Sequence, residues 1–182
     1  YACMALALVM IYQAIEHLNF AQGEMAMFST FIAWQLMQWG VPYWGAFVLT
    51  IGIAFAGGVF IERVVLAPLH NAPILSHVVT FIALYVIINS FAGFIWDFTV
   101  KPFPTPFGTS PLLGSNLIGA HQAGTIAVTL AMLLFLFVFF RYTRIGLAMR
   151  AAAANPTSAK LVGIRVGWMT ALGWGMAAAI GS

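Results

Sequence analysis

Apolar positions in this chain run in long blocks, most of them near the length of a membrane-crossing helix, parted by short polar or proline-rich stretches. The blocks predict spans near 1–15, 19–39, 44–61, 74–96, 123–140 and 168–182, with a polar loop over 141–167. A closed β-barrel would need apolar and polar residues in alternation. The runs here are continuous and rich in Ala, Leu, Met and Gly, so helices are expected. The fold class that follows is all-α, a polytopic transmembrane helical bundle read as one domain over residues 1–182. Both ends are expected to be cut from a longer chain. Tyr1 is not an initiator Met, and Ser182 stops an apolar run short of the roughly 20 residues a spanning helix needs.

Within the blocks, the few polar residues are the informative ones. The stretch Asn19 to Trp39 places Asn19, Gln22, Gly23 and Glu24 near its start, and these are the candidate polar residues of the bundle or pathway. On a helix, Gln22, Ala26, Ser29 and Ala33 share a small, polar face, with Glu24 and Gln35 on the other side. Glu24 falls about five residues in, roughly 7 to 8 Å at 1.5 Å per residue. It is therefore expected to be shallow and to pair with donors on a neighbouring helix near the cytoplasmic mouth. Trp39, Tyr43 and Trp44 read as an aromatic belt. Gly52, Ala56 and the Ala54 to Gly58 pair, and later Gly173, Ala177 and Gly181, give small residues at the spacing that lets helices approach. His77, Thr80, Asn89 and Ser90 stand as isolated polar residues in their block. The connector from Glu62 to Pro73 reads as a short loop stiffened by Pro68 and Pro73. The segment 97–122, with Pro102, Pro104, Pro106 and Pro111, reads as an outer loop.

Charge sets the orientation. The chain is 63% hydrophobic and 6% charged, with mean hydropathy +0.99, too few charges to coat a soluble surface. Five of the seven Lys and Arg residues (Arg141, Arg144, Arg150, Lys160, Arg165) lie between 141 and 165 without an acid among them, so that loop is expected on the cytoplasmic side. The loop also carries the marks of a helix-turn-helix. Gly146 to Ala154 is rich in Ala, Asn155 followed by Pro156 reads as an N-cap with proline at the first helical position, and Gly163 closes a second short helix. A rigid basic surface of this kind is suited to a partner. Arg144 and Arg150 offer forked donors, Gly146 would let the partner approach, and the Asn155–Pro156 corner would fix the angle.

Other chemistry is excluded or unsupported. Lys101 follows Val100 and Lys160 follows Ala159, so there is no phosphate-cradling Gly-Lys pair. His17, His70, His77 and His121 lack the i, i+4 pairing of a helical zinc site, and Ser110 and Ser115 fit no nucleophile elbow. The lone Cys3 has no partner for an intrachain disulfide. No catalytic residue, metal or cofactor is expected, and the net charge of +3 speaks of topology and lipid headgroups, with no support for nucleic-acid binding.

With these residues in view, the chain resembles the inner-membrane permease subunit of the branched-chain amino acid ABC transporter family. An Asn-Phe-Ala-His/Gln-Gly-Glu stretch falls on Asn19 to Glu24, and a Glu-Arg followed by Pro-Leu and Pro on Glu62, Arg63, Pro68, Leu69 and Pro73. The loop pattern falls on Thr143, Arg144, Gly146, Ala148, Arg150 and Ala151, continuing through Asn155, Ala159, Leu161, Gly163 and Ile164. The resemblance implies a multi-pass protein of the bacterial inner membrane, pairing with a second permease subunit. It further implies cytoplasmic ATP-binding subunits docked under the basic loop at Arg144, Gly146, Arg150, Asn155, Pro156 and Gly163, and a periplasmic substrate-binding protein. Amides or urea remain open as substrates beside branched-chain amino acids. A stand-alone secondary transporter or channel is the alternative, and it would need mid-membrane polar groups on broken helices.

Overall fold

A computed structural model describes residues 5, 9, 19–69, 72–97, 99, 101–103 and 120–181. The expectations for most of 1–15, for Cys3, His17 and His70, and for Pro104, Pro106, Ser110, Pro111 and Ser115 lie outside the described residues. Among the described residues seven α-helices of more than one turn follow one another: α1 (Gln22–Gln38), α2 (Tyr43–Ile61), α3 (Ile74–Trp96), α4 (Ala120–Tyr142), α5 (Arg144–Ala154), α6 (Pro156–Leu161) and α7 (Val166–Gly181). There is no strand among the described residues. Among the described residues, three helical runs are long and apolar enough to cross a membrane: Tyr43–Leu69, Leu75–Trp96 and Gln122–Tyr142. Helices α1 and α7 are shorter, with 17 and 16 residues.

Helix α2 corrects one reading of the sequence. The chain does not leave the helix at Glu62: it continues as a π turn over Glu62–Leu66 and a 3-10 turn over Ala67–Leu69. Pro68 explains the change of pitch. Its ring would collide with the carbonyl four residues earlier in a regular α-helix, and a widened turn just before it gives that carbonyl room. Glu62 is consequently buried, 1% exposed, where a solvated loop was expected.

Helices α2 and α7 run antiparallel and cross closely at glycine. A Cβ on Gly58 would sit 2.6 Å from the Trp174 carbonyl oxygen and 2.8 Å from Ala178 Cβ, and one on Gly175 would sit 2.8 Å from Val59 Cγ2. Gly52 and Ala56, expected at such a contact, are exposed, and Gly52 has nothing within 4 Å. The crossing selects the face of Gly58, and the small-residue spacing alone does not say which face that is. Around it lies the core, with Ala21, Leu66, Phe81, Leu84, Leu136, Trp174, Ala177 and Ile180. Phe81 stacks on Trp174 with ring centroids 6.0 Å apart, tying α3 to α7.

Elsewhere the helices show apolar side chains outward. Val86, Ile87 and Phe94 on α3 and Leu130, Leu134 and Phe137 on α4 are exposed, a surface suited to hydrocarbon and not to water. At the far end from Arg165, Tyr43 meets Trp44 edge-on at 5.6 Å and Phe103 at 6.3 Å, and Lys101 lies over the Trp34 ring at 5.4 Å. Aromatic rings with a nearby cation suit a membrane surface.

Candidate functional site

The polar start of α1 is held deep in the bundle. Helices α1 and α3 run side by side and parallel: Glu24 Oε2 accepts from Asn89 Nδ2 at 3.0 Å, Phe28 meets Phe91 and Trp96, and Gln35 Oε1 accepts from Trp96 Nε1 at 3.0 Å. The first turn of α1 is therefore level with Asn89, about 15 residues or about 22 Å along α3 from Ile74. Helix α7 gives a similar depth. Gln22 Nε2 donates to the Ala177 carbonyl at 3.2 Å, about 11 residues or about 16 Å from Val166. The first turn of α1 thus lies well inside the lengths of both α3 and α7, away from their ends nearest Arg165.

Glu24 has the neighbouring-helix donor expected of it, Asn89, and it sits further along that helix than a count from Asn19 suggests. The sequence measures depth from Asn19, but Asn19 is itself 2% exposed and Gln22 1%, well inside the bundle. Local hydrogen bonds make the buried start possible. Asn19 Oδ1 accepts from Ala21 N at 3.0 Å, Gln22 N donates to the Asn19 carbonyl at 3.2 Å, and Asn19 Nδ2 donates to Gln22 Oε1 at 3.4 Å. Side chains thus occupy groups that water would otherwise serve. Gly23 is exposed, with nothing within 4 Å of where a Cβ would stand. Gln22, Ala26 and Ser29 are buried on one face of α1, while Glu24 and Gln35 hold α3 from the other.

The second cluster is the basic helix pair. Thr143 joins α4 to α5: its hydroxyl donates to the Phe139 carbonyl at 2.6 Å, and its Oγ1 accepts from Gly146 N at 3.0 Å as an N-cap. Asn155 Oδ1 accepts from Ser158 N at 2.9 Å, capping α6, and Pro156 takes the first helical position. At the other end of α6, Gly163 adopts φ +84°. Its N–H reaches the Lys160 carbonyl at 3.1 Å while Ile164 N reaches the Ala159 carbonyl at 3.0 Å. These paired bonds are the glycine C-cap that ends a helix in a left-handed residue.

Gly146 does not face outward. A Cβ there would stand 2.7 Å from Phe140 Cα and press on the Phe139 carbonyl oxygen, so this glycine lets α5 fold back against α4 and is unavailable to a partner. Met149, Ala152 and Ala159 are buried with it. The outward surface instead carries Arg144, Arg150, Asn155, Pro156 and Lys160 with Leu147, Leu161 and Val162; the last two are 85% and 76% exposed. Val162 was not singled out from the sequence, and Thr143 and Leu161 entered there only as matches to the family's loop pattern, with neither the cap nor the exposed apolar pair assigned. A Thr three residues before a buried Gly signals the cap only once the turn is known. The exposure of Leu161 and Val162 depends on which face of α6 packs against the bundle.

A family model for the permease component of branched-chain amino acid transport systems matches residues 1–182. The chain belongs to that permease family. It is similar to the high-affinity branched-chain amino acid transport system permease protein LivH of Escherichia coli K12 and of Salmonella typhimurium, 30% identical over 194 residues in each case. It is likewise similar to the permease protein BraD of Pseudomonas aeruginosa, 30% identical over 195 residues. Each match covers 99% of this chain and 63% of the relative, so the chain spans a little under two thirds of these permeases. No solved structure matches it.

Proposed function

We propose that the chain forms part of the translocation pathway of an ATP-binding-cassette importer for branched-chain amino acids in the bacterial inner membrane. Its α5–α6 surface docks the cytoplasmic ATPase subunit. In this reading a second permease subunit completes the pathway, a periplasmic binding protein delivers the substrate, and the end bearing Arg165 faces the cytoplasm. The relatives' printed function supports the substrate class. The observation that carries the docking is the form of the helix pair. Capped at Thr143, Asn155 and Gly163 and packed on α4 and α7, it is rigid enough to transmit force, and it exposes apolar Leu161 and Val162 beside cations. An apolar centre with arginine around it is the usual make-up of a protein interface.

Reversing charge at this surface tests the proposal. Arg150→Glu in the reconstituted complex is expected to lower co-purification of the ATPase subunit and substrate-stimulated ATP hydrolysis together. The loss should be tenfold or more if the side chain pairs with a partner carboxylate, which corresponds to about 1.4 kcal/mol or more. Normal hydrolysis and uptake would remove the docking role. The buried start of α1, with Asn19, Gln22 and Glu24 around it, favours a second reading as a secondary carrier, because such proteins gather polar groups on helices that begin inside the membrane. Uptake into vesicles that depends on an ion gradient, with no added ATPase subunit, would favour that reading.

A further inference from the structure

We infer that a basic cleft beside the π turn of α2 binds the phosphodiester headgroup of an anionic phospholipid. The cleft has a volume of about 520 Å³ and lies where Glu62, Arg63 and Ala67 face Lys160, Arg165 and Trp168. Three cations line it against the single carboxyl group of Glu62. Arg63 is set in advance: its guanidinium carbon stands over the Trp168 ring, 3.7 Å from the centroid, a cation–π contact that holds the side chain at the cleft. An arginine immobilised in this way loses less freedom on binding than a free one.

The position points to lipid in preference to a soluble anion. The cleft opens where the apolar helices α2 and α7 meet the basic loop, the level at which headgroups lie. Phe60, at the end of α2, and Val64, in the π turn beside Arg63, are both exposed, so apolar surface adjoins the cleft along the chain. A phosphate in the cleft would lay its acyl chains on that surface, and the indole of Trp168, itself exposed, sits at the join. A free phosphate uses the cations and leaves the apolar surface unoccupied. The inference rests only on the chain being embedded in a bilayer, and its readout is lipid retention, separate from transport.

The test uses the intact transporter in nanodiscs, with spin-labelled phosphatidylglycerol and phosphatidylcholine as probes. The wild type is expected to immobilise the first lipid over the second. Lys160→Gln, a change on an exposed helix, should lower that preference about fivefold, the worth of one cation near the surface. Arg63→Gln should do the same or more. Glu62→Gln should raise the preference, and Arg141→Gln, a cation outside the cleft, should leave it unchanged. An unchanged preference in Lys160→Gln and Arg63→Gln overturns the site. Equal loss in Arg141→Gln overturns it too, by reducing the effect to general surface charge. Displacement of the labelled lipid by inorganic phosphate alone would assign the cleft to a soluble anion and overturn the lipid reading.

Discussion

Adding one methyl group at Gly58 tests the packing that holds the bundle together. The added Cβ would lie 2.6 Å from a backbone carbonyl oxygen, 2.8 Å from Ala178 Cβ and 3.0 Å from Gly175 Cα, all inside the roughly 3.5 Å at which such atoms attract. Two of these three neighbours are backbone, so the strain is relieved only if α2 and α7 separate. Overpacking of this kind costs about 1–3 kcal/mol. Alanine also gains up to about 1 kcal/mol of helix propensity over glycine, which obscures the cost in a single mutant. Gly52→Ala removes the ambiguity, because Gly52 lies on the same helix with nothing within 4 Å. Both changes share the propensity gain, so their difference isolates the crossing. Equilibrium unfolding in mixed micelles should place Gly58→Ala below Gly52→Ala by about 1–3 kcal/mol. Equal stability would show that α2 and α7 do not meet as described.

Two further changes address the two polar clusters. A double-mutant cycle of Glu24→Leu and Asn89→Leu should give a coupling of about 1 kcal/mol, toward the upper part of what hydrogen bonds between membrane helices give; additive effects would mean the pair is not formed. Asn155→Ala should cost about 1 kcal/mol through loss of the α6 cap, read as faster hydrogen exchange at Ser158, while Asn155→Asp should retain protection; unchanged exchange in the alanine variant would remove the cap from the account.

What the sequence showed and what it hid divide along physical lines. Hydrophobic blocks and caps are local, so α2, α3 and α4, the Asn155–Pro156 corner and the Gly163 stop could be read from residue order. Depth is not local. The level of Glu24 depends on which residue of α3 it faces, and nothing near Asn19 in sequence announces Asn89. The same holds for Gly146, whose partner is its own α4, and for Gly58 over Gly52, where spacing offered both and only the crossing chose. Pro68 misled for a different reason. Proline does not end a helix that can widen, and the π turn over Glu62–Leu66 made that room. The cleft was hidden because it joins Arg63 to Trp168 across more than half the chain.

The central functional claim is that α5 and α6 form the surface on which an ATPase subunit rests. It is tested most directly by placing a photo-crosslinking amino acid at Leu161 or Val162 in cells that express the whole transporter. Both side chains point away from the bundle, so the substitution leaves its packing intact. Docking predicts a crosslink to the ATP-binding subunit from Leu161 and Val162, and none from Phe94, which is exposed on α3 two residues from its far end. Crosslinks to lipid alone, or equal crosslinking from Phe94, would contradict it.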